Sequence, residues 1–253
     1  MTQNIFDTHA HYDDEKFDGD RDEIIKKIFS SGVCGVINCG CDIESSRKSI
    51  ELCKKYESFF CAVGIHPHSA EEEHYRLQEI FDLFPFEKIV AIGEIGLDYH
   101  YDFSERDIQK EVFEKQLVYA CNADLPVIVH SREATADTLD LLKRYKPKGV
   151  VHCFTGSVET AREILLLGMY LGIGGAITFK NAVKPVEAVK YIPLERILLE
   201  TDCPYMSPVP YRGKRNDSSL IEYTARKIAE IKNIDVQTVA DVTKNNAKLL
   251  FGL

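Results

Sequence analysis

Six residues of this 253-residue sequence have the types needed for metal chemistry: His9, His11, Glu94, His130, His152 and Asp202. Imidazole and carboxylate are the groups that hold Zn²⁺, Mn²⁺ or Mg²⁺. Each of the six falls at or just past the end of a short apolar run. His9-x-His11 has the spacing that puts two side chains on one face of a strand, so both can reach one ion. Alone, that pair reads more readily as two surface or hydrogen-bonded histidines, and His130 or His152 alone as a satisfied core histidine. Together they point to a shared centre, because a carboxylate buried there without a partner would be costly and a metal supplies that partner. Four histidines and two acids exceed what one catalytic metal uses, which implies two ions. Two ions can activate a water and stabilise the oxygens of an in-line displacement.

Such convergence requires elements that bring distant strand ends to one place. Eight β-branched-rich runs qualify as strands: Asn4 to Asp7, Val33 to Cys39, Phe59 to Gly64, Ile89 to Glu94, Pro126 to His130, Gly149 to Cys153, Met169 to Ile173 and Ile197 to Thr201. Polar segments of helical periodicity separate them, the alternation of βα units around a parallel sheet. Ser104 with Asp107 reads as an N-terminal capping pair, and Ser157 opens a further helix. Gly32 and Gly168 are placed to close helices in a left-handed conformation. The stretch Gly172 to Gly175 reads as a close approach of a strand end to its neighbours. Ser218 to Lys232 and Asp235 to Leu250 add two helices after the eighth strand. The expected fold is α/β, a (β/α)₈ TIM barrel with two C-terminal helices, formed as a single domain over 1–253. An open doubly wound sheet would bring a Gly-rich loop after the first strand, where this chain has Asp7-Thr8-His9-Ala10-His11.

Composition narrows the function classes. Hydrophobic residues make up 45% and charged residues 28%, which excludes disordered and fibrous chains. No apolar run approaches the ~20 residues of a membrane helix, and the N-terminus lacks a basic start and an apolar core, so a cytoplasmic protein is expected. The formal charge of −9 argues against a broad electrostatic coat on DNA. A mouth that holds two divalent ions against two carboxylates is locally positive, so capture of a strand end stays open. The eight cysteines show no C-x-x-C pair and sit largely in apolar runs, as reduced, buried thiols do. Cys39-x-Cys41 is read as packing.

Several segments resemble the TatD family of metal-dependent deoxyribonucleases, within the amidohydrolase-like barrels. They are Asp7-Thr8-His9-Ala10-His11, Gly64-Ile65-His66-Pro67-His68, Gly93-Glu94-Ile95-Gly96-Leu97-Asp98-Tyr99, Pro126 to Arg132, His152-Cys153-Phe154-Thr155-Gly156, and Glu200-Thr201-Asp202 running into Pro208 to Asn216. The resemblance implies that His9, His11 and Asp202 hold one ion, His130 and His152 the other, and that Glu94 bridges them. It also implies Mg²⁺- or Mn²⁺-supported hydrolysis of DNA phosphodiesters, often from the 3′ end of single strands, with Zn²⁺ admitted by the imidazoles. DNA strand ends are then the substrate, in a DNA repair setting, and no obligate protein partner is evident. The departures are His100, where relatives often have Tyr, and Cys203, where a small residue is usual. Asp202 beside Cys203 raises a thiol's pKa and disfavours a nucleophilic role.

Around that centre, the resemblance makes His66 a phosphate contact or proton donor, the alternative being a core hydrogen bond. His68 is read as structural. Arg132 could fork onto a phosphate or form a salt bridge within the mouth. Lys180, and Arg212 in the Tyr211 to Arg215 loop, could supply positive charge beside an aromatic face, the alternative being a solvated loop. Tyr99 is a further candidate substrate contact, and Glu94, Asp202 and His66 are the candidate catalytic residues. The Glu-rich stretch Ala70 to His74 is read as a helix start. The alternative activity is hydrolysis of amides, lactones or phosphotriesters; many such barrels bridge their metals with a carboxylated lysine, where this chain offers Glu94.

Overall fold

The computed structural model describes residues 2–253. Its eight strands are β1 (Ile5–Ala10), β2 (Val33–Cys39), β3 (Phe59–Val63), β4 (Ile89–Asp98), β5 (Val127–Arg132), β6 (Gly149–Val151), β7 (Tyr170–Ile173) and β8 (Ile197–Leu199). They lie side by side in chain order, every pair parallel. Helices α1 (Arg21–Ser30), α2 (Ile43–Lys55), α3 (Ala70–Glu73), α4 (Leu77–Phe81), α5 (Arg106–Asn122), α6 (Thr135–Tyr145), α7 (Val158–Leu166) and α8 (Val183–Tyr191) occupy the crossovers. Two more, α9 (Ile221–Lys232) and α10 (Val236–Phe251), follow β8. This is the expected (β/α)₈ barrel, nearly closed.

Closure is made by the chain around β1 and just past β8. An isolated bridge pairs Ala10 with Cys203, and Asp202 N–H donates to the His9 carbonyl at 2.9 Å. The buried Asp7 carboxylate accepts from Thr201 N–H at 3.0 Å, from Thr201 Oγ1 at 2.6 Å and from Ser218 Oγ at 2.6 Å. Burial pushes its pKa up to about 6 against those hydrogen bonds.

The interior is packed rather than open. Phe6, Ile37, Ala62, Ile128, Val150 and Leu198 from the strands form one buried cluster with Ala247, Leu250 and Phe251 of α10. The C-terminal helix therefore plugs the N-terminal end of the barrel and leaves the opposite mouth for chemistry. A larger cluster lies between the strands and the surrounding helices. Local signals mostly agree with the elements formed. Ser157 caps α7 by accepting from Thr160 N–H, and Gly32 and Gly168 adopt φ +95° and +78° at helix ends. Gly172 does pack closely, since a Cβ there would lie 2.2 Å from Glu200 Oε2. The capping pair at Ser104 is corrected: α5 begins at Arg106 after Glu105, and Ser104 Oγ instead accepts from Glu71 N–H and donates to the His68 carbonyl. The fixed hydroxyl ties the β3–α3 connection to the loop after β4.

The expected end of the fourth strand at Glu94 falls short by four residues. Gly93 and Gly96 dilute its apolar run, yet they are what allow β4 to pass so close to β5. Gly96 has φ +144°, and a Cβ there would lie 1.9 Å from the His130 carbonyl oxygen. Both the torsion and the contact exclude a side chain. Gly96→Ala is expected to lower the unfolding free energy by about 3 kcal/mol or more, read in a denaturant titration, and to weaken metal binding by shifting His130.

Candidate metal centre

The long β4 places Glu94 and Asp98 on the same face, four residues apart. Glu94 is 3% exposed, and its two oxygens face two sets of imidazoles. Oε2 lies 3.1 Å from His9 Nε2 and 3.5 Å from His11 Nε2. Oε1 lies 2.8 Å from His152 Nε2, 2.9 Å from His130 Nδ1 and 3.3 Å from His66 Nε2. Asp202, with φ +57°, sets Oδ1 3.4 Å from His11 Nε2 and 3.8 Å from His9 Nε2. All six residues singled out for metal chemistry, and His66 with them, thus meet at one mouth.

Their outer hydrogen bonds fix which nitrogen faces inward. His11 Nδ1 lies 2.9 Å from the Cys39 carbonyl, so it carries the hydrogen and leaves Nε2 as a lone-pair donor. His130 Nε2 lies 3.1 Å from Asp98 Oδ2, which turns Nδ1 toward Glu94. His66 differs. Its Nδ1 accepts from His68 N–H at 3.1 Å, so a neutral ring carries its hydrogen on Nε2, aimed at Glu94.

Electrostatics in this cluster are set by competition between burial and the two acids. Burial alone would raise the pKa of Glu94, but His152, His66 and His9 hold it well below the usual carboxylate range. Burial lowers His9 and His66 to about 4, so both rings are neutral at pH 7. At His130 burial also pulls down, yet Asp98 and Glu94 overcome it and raise the pKa to about 9. Imidazole nitrogens only 3.0 Å apart (His9 and His11) and 3.3 Å apart (His130 and His152) crowd an ionised carboxylate, and the pKa values of His11, His130 and His152 are raised in spite of burial, with Glu94 contributing to each. Such a donor set calls for cationic charge at its centre, and His9, His11 and Glu94, or His9, His152 and Asp202, each bring three ligand atoms within reach of one ion. The residues present fit divalent cations.

Two acids in this neighbourhood have no role in the reading of the sequence. Asp98 lay beyond the expected end of the fourth strand; the period-two spacing from Glu94 is the signal that finds it. Its Oδ2 meets His68 Nε2 at 2.9 Å as well as His130, while Oδ1 accepts the backbone N–H of His100 and Tyr101. His68 is structural in this sense, packed against the carboxylate that orients His130. Glu200 is buried behind His152; Oε1 accepts from Cys153 N–H at 2.5 Å and Oε2 has no hydrogen-bond partner. Burial raises its pKa to about 8. Asp98→Asn is expected to weaken divalent-metal affinity by roughly 10- to 100-fold, because the amide no longer fixes His130's tautomer. A calorimetric metal titration, with the melting temperature as control, separates that effect from unfolding.

The candidate substrate contacts sit farther out. Arg132 ends β5, exposed, with its guanidinium 4.7 Å from the Tyr101 ring centroid. Beside it a cavity of about 320 Å³ runs between the loops after β5 and β6, lined by His152, Phe154, Leu139 and Thr160. Lys180 is exposed after β7, and Arg212 stacks at 3.7 Å on Phe179, the residue before it, so the two cations share one rim. Arg215 of the same loop is instead committed to Asp20. Tyr99 donates to Asp137 of α6 at 2.6 Å and is covered by Arg106, so its hydroxyl does not join the cluster. His100 pairs with Glu133 at 2.7 Å. Cys203 is fully buried and its thiol is pushed up to about 12, first by burial and then by Asp7, which leaves no thiolate for attack. All eight cysteines are free.

Comparison with known proteins matches residues 6–252 to the family model described as TatD related DNase. The chain belongs to the TatD family. It is 45% identical to the metal-dependent hydrolase YabD of Bacillus subtilis (strain 168), over 98% of each chain. It is 31% identical to the 3′-5′ ssDNA/RNA exonuclease TatD of Escherichia fergusonii, over 98% of this chain and 99% of that one. The crystal structure of YJJV, a TatD homologue from Escherichia coli K12, superposes with a TM-score of 0.92 at 31% identity over the whole of both chains. This TatD-family barrel is accordingly a metal-dependent hydrolase. No helix among the described residues is long and apolar enough to cross a membrane.

Proposed function

We propose that this TatD-family chain hydrolyses DNA phosphodiester bonds, acting as a 3′-5′ exonuclease on single strands. The observation that carries the reading is the position of Glu94, whose two oxygens face His9 and His11 on one side and His130 and His152 on the other. In this reading Glu94 would be shared between two ions, one also held by His9, His11 and Asp202, the other by His130 and His152. Mg²⁺ or Mn²⁺ suits the carboxylates and Zn²⁺ the imidazoles; when bound, such ions lower the pKa of water and offset charge on phosphoryl oxygens.

The protein's own groups do the rest. Asp202, at the more open edge of the cluster, takes the proton from the attacking water. Water adds to phosphorus as the bond to the 3′ oxygen breaks. His66, neutral with its hydrogen on Nε2, donates a hydrogen bond to this oxygen, and a second water supplies the proton that it needs. Arg132 holds a non-bridging oxygen, and the Lys180 and Arg212 rim receives the incoming strand. One barrel over 1–253 then performs the whole reaction in the cytoplasm, on strand ends of the kind met in DNA repair, with no obligate partner.

A time course on end-labelled single-stranded and duplex DNA with Mg²⁺, Mn²⁺ and Zn²⁺, against a chelator control, tests the proposal. Mononucleotides released from the 3′ end of the single strand are expected. Internal ladders would contradict exonuclease action, and turnover of a lactone or phosphotriester without DNA cleavage would favour the small-substrate alternative.

A further inference from the structure

The connection between β4 and α5 carries two large aromatic side chains into solvent. Tyr101 is 48% and Phe103 64% exposed. Their rings stack on each other, with centroids 5.2 Å apart and planes 9° from parallel. Water-facing aromatic surface of this size is unfavourable for folding by itself, since burying it would be worth ~25 cal/mol per Å². Nor is the pair loosely held. His68 packs edge-on against both rings, at 5.4 and 4.8 Å, and Arg132 lies against Tyr101.

The same carboxylate that orients His130 also sets this pair. Asp98 accepts the backbone N–H of His100 at 2.9 Å and of Tyr101 at 3.0 Å through Oδ1, while its other oxygen meets His68 and His130. The rings are thus held in fixed relation to the metal-facing His130 and to the guanidinium of Arg132. A planar apolar face, rigidly placed beside a cation, next to a centre for phosphodiesters, matches the alternation of base and phosphate in a nucleic-acid strand.

We propose that Tyr101 and Phe103 form a stacking platform for an unpaired nucleobase beside the phosphate that Arg132 holds. The proposal rests on the nuclease reading above and adds a reason for strand preference. Base faces in a duplex are covered by their neighbours, so a platform engages only bases that are single-stranded or frayed. Because every base presents a π-face, the platform favours single strands without selecting a sequence.

The test compares the wild-type protein with a Tyr101→Ala, Phe103→Ala double variant on two end-labelled substrates. One is an oligo(dT) strand; the other is identical but abasic at its three 3′-terminal positions. Stacking is worth enough per base for the variant to raise KM on oligo(dT) by roughly 10- to 100-fold with kcat largely kept. On the abasic strand the gap between the two proteins is expected to close, and a Tyr101→Phe, Phe103→Tyr variant to restore oligo(dT) cleavage. Equal losses on both substrates would make the rings structural supports and overturn the platform, as would no loss on either. Fluorescence anisotropy with labelled oligo(dT) in chelator separates the two levels of inference. Wild-type protein that neither binds nor cleaves the strand defeats the nuclease reading and the platform with it, whereas cleavage with an unaffected double variant defeats the platform alone.

Discussion

Glu94→Gln is expected to reduce hydrolysis by at least about 10³-fold while leaving the barrel folded. The substitution keeps the side chain's shape but removes the charge that both sets of imidazoles face, at 2.8 to 3.5 Å. An amide can offer one oxygen, so it cannot present an anionic atom to each side. Its NH₂ group would point hydrogens at nitrogens whose lone pairs are needed for cations. Metal analysis after dialysis is expected to show ions lost, with far-UV circular dichroism unchanged. Full turnover by the variant with stoichiometric metal still bound would refute the bridging role.

Asp202→Asn is expected to behave differently, lowering kcat by about 10²- to 10⁴-fold with a smaller loss of metal. Asp202 contributes one oxygen at the edge of the cluster, and its side chain is 18% exposed where that of Glu94 is 5% exposed. A group at the edge can meet both water and substrate. The ionised state required of a base is favoured there, since His11 and His9 hold the Asp202 pKa below its ordinary value in spite of burial. Single-turnover rates on the single strand, taken alongside a metal titration, separate proton transfer from metal loss. A kcat within about tenfold of wild type would remove the base role and leave Asp202 as a ligand only.

Much of this site could be read from residue types at strand ends. His9, His130 and Glu94 lie within strands, and His11, His152 and Asp202 lie one to three residues past them, so a parallel barrel delivers them to one mouth. What the sequence concealed depends on where strands stop and how long side chains turn. Asp98 was invisible as a positioning group because two glycines mask the continuation of β4. Tyr99 reads like a substrate contact until its hydroxyl is found on Asp137, with α5 and β5 between them in sequence. Arg212 and Arg215 are equivalent by composition; only the fold shows that one lies on Phe179 at the rim and the other is neutralised by Asp20. Tyr101 and Phe103 carry no signal in the sequence, because an exposed aromatic pair has no periodic signature.

The join between β1 and β8 has a bearing on how the chain folds. Thr8 Oγ1 bonds the Leu199 carbonyl across 191 residues of sequence. Closing so large a loop carries an entropic penalty, so these pairings are expected to form late in assembly. His9, His11 and Asp202 sit at this join, on its two sides. A cation shared among them would act as a removable crosslink between the two ends of the polypeptide, in the manner of a staple that binds only the closed form. The earliest consequence of metal loss would then be fraying where the barrel meets itself, ahead of any loss of its helices.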